Sequence, residues 1–172
     1  MSNLDKIQKG MRVLQTLSKI ILIFAIVGLA MTSVGAALLA SDVLSPENRL
    51  LHFLLTAAEI TRGQLIGTLL AAAASLLFGG IFTAFVYRYF TAELKEGTPF
   101  TNAGADRIKR LGIMQTVLAV VSAAITDGIY EKIDLSDWNR FDGAGSVTLG
   151  ICLILIAAVV RYGAELEHGK QN

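Results

Sequence analysis

The side chains best equipped for chemistry in this chain are charged and crowded together. Glu93, Lys95, Glu96, Arg107, Lys109 and Arg110 all fall within YRYFTAELKEGTPFTNAGADRIKR, residues 87–110. Carboxylates mixed with guanidinium and ammonium groups make charge-assisted hydrogen bonds, the strongest polar contacts available to a protein surface. Such a cluster suits the docking of a partner. It equally suits a plainer duty, fixing membrane topology and meeting lipid headgroups. Both readings stand, and Arg161 and Glu165 project near the same cluster.

The remaining polar residues point to no reaction. Thr32, Ser33, Thr68, Ser75, Gln115, Thr116, Ser122, Thr148 and Cys152 are scattered through apolar surroundings. The sequence has no glycine-rich phosphate loop, no paired histidine with a carboxylate and no nucleophile–base arrangement. The two histidines, His52 and His168, fall on opposite sides of the topology derived below, so no zinc site is expected. The carboxylates of residues 127–142 match no EF-hand spacing. Neither an enzyme nor a cofactor or metal is expected, and no direct contact with nucleic acid. Cys152, the single cysteine, reads as a small apolar side chain.

What positions the charged cluster is the apolar sequence around it. The chain has 172 residues, 53% hydrophobic and 17% charged, with a mean hydropathy of +0.58. Residues 20–41, 63–87, 111–126 and 143–160 contain no Asp, Glu, Lys, Arg or His. A hydrocarbon core about 30 Å thick takes roughly 20 helical residues, so the runs suffice for spans, the third with help from snorkelling Arg107, Lys109 and Arg110. Buried helices of a soluble bundle keep a polar stripe, and residues 20–39 have none. The first run also exceeds the apolar core of a signal peptide, about 7–15 residues, and Leu38 spoils the cleavage pattern before Ala40, so its retention is expected.

Orientation follows from counting Lys and Arg. Grouping alternate connecting segments puts eleven on the side of the two termini and residues 88–110, and four on the other. With the acidic residues, the two sides carry +5 and −4. The positive side belongs in the cytoplasm.

Between the runs, local signals are clear. Leu4, Ile7, Met11, Leu14 and Leu17 form an apolar stripe beside Lys6, Lys9 and Arg12, the pattern of an interfacial amphipathic helix or a basic flank. Ser45-Pro46 can start a helix. Gly63, Gly67, Ala71, Ser75, Gly79 and Thr83 recur every four residues, a ridge of small side chains for close helix approach. It can pack against the first or fourth span, or serve as a homodimer seam. Gly97 and Pro99 stop one helix, and Thr101 or Asn102 can cap the next. Gln115 is expected to bond to another helix.

ELKEGTPFTNAGADRIKRLGI (residues 93–113) and RYGAELEHGKQN (residues 161–172) resemble the bacterial family known as domain of unknown function 2975. The most specific likeness is Gly97, Pro99, Phe100 and Thr101, followed by Arg107, Arg110 and Leu111. The tail departs from the family at His168–Asn172, which lacks an acidic ending. The resemblance implies a small bacterial four-span protein, and a genetic neighbourhood with helix-turn-helix regulators implies a cytoplasmic partner of that kind.

The resulting expectation is an all-α integral membrane four-helix bundle, up-down, with both termini cytoplasmic. Its spans fall near residues 20–40, 64–87, 110–127 and 144–161, its elbow at 88–109 and its outer loops at 41–63 and 128–143. The expected location is the bacterial inner membrane, the expected surroundings membrane lipid. The expected role is holding or modulating a soluble regulator. The alternative is an oligomeric pore or an accessory subunit of an exporter.

Overall fold

The computed structural model describes residues 3–41, 60–96, 101–135 and 143–169, and among these every regular element is an α-helix. They are α1 (Asn3–Ala40), α2 (Arg62–Glu96), α3 (Asn102–Lys132) and α4 (Gly143–Gly169), of 38, 35, 31 and 27 residues. All four are long and apolar enough to cross a membrane. The helix expected from Ser45-Pro46, His52 and the Gly97–Pro99 turn lie outside the described residues.

Each helix outruns its uncharged core because the flanking residues are also good helix formers with defined ends. Thr61 and Gln64 form a reciprocal capping box: Gln64 N donates to Thr61 Oγ1 at 3.2 Å and Thr61 N to Gln64 Oε1 at 2.8 Å. At the start of α3, Thr101 has extended backbone (φ −121, ψ 154) and its hydroxyl accepts from Gly104 N at 2.9 Å. The α3 C-terminus closes with Leu135 N donating to Tyr130 O at 3.1 Å around Asp134, whose φ is 57. That is the Schellman arrangement, with an aspartate where glycine is usual.

The stretch read as an interfacial amphipathic helix or a basic flank is the first part of α1, continuous with the apolar run. Its position is fixed by α2, since Gln15 Nε2 donates to Thr91 Oγ1 at 2.8 Å. At the other end of this pair, Arg62 Nε donates to Leu39 O at 2.9 Å.

Packing follows chain order: α1 against α2, α2 against α3, α3 against α4, with no comparable packing of α1 on α4 among the described residues. The buried positions are mostly small, including Ala36, Ala71, Ala105, Ala119, Ala157 and Ala164. Large apolar side chains point outward, and Phe24, Met31 and Val159 are each 71% exposed. In water this would be an aggregation-prone surface. It fits a hydrocarbon surround, where helices associate through close approach of small residues. The architecture fits a multi-pass membrane protein.

A close backbone approach lies between α3 and α4. A methyl group on Gly112 would stand 2.7 Å from the Gly150 carbonyl oxygen, and one on Gly150 would collide with Thr116 Oγ1 and lie 2.8 Å from the Gly112 oxygen. The small-residue ridge of α2 is not a single seam. Gly67 is buried, and a methyl there would meet Ile133 at 2.6 Å. Ala71 is also buried and Ser75 half-buried, whereas Gly63 and Gly79 are exposed. A methyl on Gly79 would meet nothing within 4 Å beyond its own helix backbone.

Candidate functional site

The elbow is built by the last turns of α2 and the first turns of α3. Glu93 and Glu96 stand three residues apart on α2, close to one another on the helix surface. Arg107, on the second turn of α3, bridges them. Its Nη1 donates to Glu93 Oε1 at 3.0 Å, and its Nη2 to Glu96 Oε1. A guanidinium presents its donors in a planar fork, so one side chain can hold two carboxylates where a lysine would offer a point charge.

The two carboxylates sit in different environments. Glu93 has no exposed surface, and its Oε2 is buried without a hydrogen-bond partner. Burial pushes the pKa of its carboxyl above the ordinary glutamate value, with Arg107 pulling the other way. Glu96 is exposed, and the hydrogen bond from Arg107 holds its carboxyl below the usual value. Arg107 is driven further upward, first by Glu96 and then by Glu93. Tyr89, one turn before Glu93, has its phenol pushed up to about 12 by burial and then by the Glu93 charge.

A second ion pair joins α4 to the same end of the molecule: Arg161 Nη2 lies 2.7 Å from Asp106 Oδ1, both about half exposed. Arg161 and Glu165 line a groove of about 320 Å³ with Lys109 and Tyr162. On the opposite side of α3, a recess of about 340 Å³ opens between α2 and α3. It is lined by Phe85, Arg88, Tyr89, Ala92, Arg107, Arg110, Leu111 and Met114. The Arg88 guanidinium stands 5.9 Å from the centroid of the Phe85 ring, a cation–π arrangement.

The six residues proposed from sequence to face a partner therefore divide. The expectation for Glu93 is corrected, because a side chain with no exposed surface supports the elbow from inside. Arg107 and Glu96 are engaged with each other. Lys95, Lys109 and Arg110 are exposed, and none forms an ion pair with a described residue. Arg88 and Tyr89 were missed as site residues. Their signal was available, since Phe85, Arg88, Tyr89 and Ala92 repeat on one face of a helix.

Several hydroxyls of the apolar runs are satisfied within their own helices. Thr32, Thr68, Thr83, Thr116 and Thr126 each donate to a carbonyl one turn earlier. Gln115 reaches the Ser146 carbonyl of α4 at 3.4 Å, the interhelical bond expected of it. Among the described residues, no group of three or more His, Cys, Asp or Glu could hold a metal ion. Compared with family models, curated proteins and solved structures, the chain finds no match.

Proposed function

We propose that this chain is a multi-pass protein of the bacterial plasma membrane, running up and down with both termini and the elbow in the cytoplasm. In this reading it has no catalytic machinery. It holds or modulates a soluble helix-turn-helix regulator, for which the elbow is the docking face. The observation that carries the proposal is the Arg107 fork across Glu93 and Glu96. It locks the projecting end of α2 to α3 and leaves Lys95 and Lys109 free on a fixed surface. The Lys and Arg asymmetry of the connecting segments supports the orientation.

The test combines topology and capture. A cysteine placed at Lys95 should be labelled by an impermeant reagent only after the cells are opened. Labelling in intact cells overturns the orientation. Crosslinked pull-downs should recover a DNA-binding protein with the parent chain and lose it with Lys95→Glu/Lys109→Glu. Unchanged recovery overturns the docking face.

The alternative, an oligomeric pore or exporter subunit, draws on the open surface at Gly79. It requires an oligomer in mild detergent that Gly79→Leu weakens. A monomer insensitive to that change excludes it.

A further inference from the structure

The recess between α2 and α3 has a polarity that sorts along its length. Phe85, Arg88 and Tyr89 lie on one face of α2, and Arg107, Arg110, Leu111 and Met114 on one face of α3. Because the two helices meet at the elbow through Glu93 and Arg107, Phe85 and Met114 are the lining residues furthest from it. The apolar end of the recess therefore points toward the uncharged runs, and its cationic end toward the elbow.

The lining holds three arginines and no carboxylate. Arg107 is already balanced by Glu93 and Glu96, whereas Arg88 and Arg110 have no ion-pair partner among the described residues. Arg88 is steadied over Phe85 rather than neutralised. Two uncompensated guanidinium groups flanking a cavity call for an anion, and their geometry suits the oxygens of a phosphate. At about 340 Å³ the recess lies in the range of small-ligand pockets, roughly 300–1,000 Å³.

We propose that this recess binds the headgroup of an anionic phospholipid, its phosphate held by Arg88 and Arg110 and its first acyl carbons laid on Phe85, Leu111 and Met114. The apolar floor and the placement at the ends of the uncharged runs favour a lipid over a soluble phosphate. A soluble anion would gain nothing from Phe85 and Met114. Basic pockets between helices at a cytoplasmic face recognise such headgroups. The assignment rests on the membrane reading above but not on the soluble partner.

The test uses the full chain purified in detergent, titrated with dioleoyl phosphatidylglycerol or dioleoyl phosphatidylcholine and read by native mass spectrometry. The parent should favour phosphatidylglycerol. Arg88→Ala/Arg110→Ala should lower that affinity about tenfold or more, by removing two charge-assisted contacts. Lys9→Ala, which removes an exposed cation of α1 outside the recess, should leave it unchanged. Met114→Trp, which fills the apolar end without altering charge, should lower it too. Excess inorganic phosphate should not displace the lipid. The assignment is overturned if the double arginine variant binds as the parent does, if Lys9→Ala loses as much, or if inorganic phosphate competes effectively. Resistance of the same variants to carbonate extraction from membranes shows that the chain is embedded, so a failure of the lipid site is separable from a failure of the membrane reading.

Discussion

Helix α3 is held on two sides by opposite means. Toward α4 it presents Gly112, which comes so close to Gly150 that neither tolerates a methyl group. Toward α2 it presents Arg107, which reaches across the gap to two carboxylates. The first contact works by the absence of side chains, the second by the length and charge of one. Inside hydrocarbon, close backbone approach is what gains dispersion energy. At the watery end the helices need not touch, and a long cation can span them. A third of the most apolar stretch of α3 is buried (33%), against 6% for α1. Helix α3 therefore carries both devices, and among the described residues α1 packs extensively on α2 alone.

The largest effect is expected where shape dominates. Gly150→Leu must displace the Gly112 carbonyl and Thr116, and should destabilise the fold by about 3 kcal/mol or more, at the upper end of overpacking costs. Unfolding of the purified protein in mixed micelles measures this. Gly28→Ala, in the α1–α2 contact, meets only the flexible end of Leu76 at 3.1 Å, and should cost less than about 1 kcal/mol. Equal losses would erase the distinction between a backbone seam and a side-chain seam.

The charged contact comes next. Arg107→Ala strands the buried Glu93 carboxylate and should cost roughly 3 kcal/mol, the low end for breaking a buried pair because Arg107 is 32% exposed. Adding Glu93→Gln to that variant should restore part of the loss. No recovery would mean that Arg107 acts through Glu96 alone.

A pH series separates the two glutamates. Glu93 is raised in the fold, so its contribution is fully present below the ordinary value of 4.5 and is lost as pH rises through its folded value. Glu96 is lowered, so its contribution is present above 4.5 and lost as pH falls through its folded value. Glu93→Gln should therefore become less harmful, relative to the parent, as pH rises from 4 toward 8, a window spanning the raised group. A pH-independent difference would place the Glu93 effect in packing.

The smallest effect belongs to the exposed pair. Asp106→Asn should cost no more than about 0.5 kcal/mol and less in high salt, because both partners are about half exposed. A loss as large as that of Arg107→Ala would show that exposure does not distinguish the two ion pairs.

Much of this molecule can be read locally. The four helices follow from runs without charge, and Thr101 is recognisable as a cap from its residue type and its position before an apolar run. The capping box at Thr61 and Gln64 was equally readable but sits in a stretch otherwise interpreted as loop. The α2 ridge misleads by its regularity, since a period of four says which residues are small and not what stands opposite them. Gly112 and Gly150 carry no such period, being single glycines on separate helices. Glu93 is misread for a related reason. A glutamate is assigned to the surface by type, and its burial depends on what α3 lays over it.

What residue order alone settled was which segments are apolar enough to cross a membrane and the helical state within them, because hydropathy and hydrogen bonding act over a few adjacent residues. What folding in three dimensions decided was which small residues meet, which carboxylate is shut away from water and which arginines remain unpaired. Those outcomes depend on groups far apart in the chain arriving within a few ångströms of one another, and no local pattern encodes that arrival.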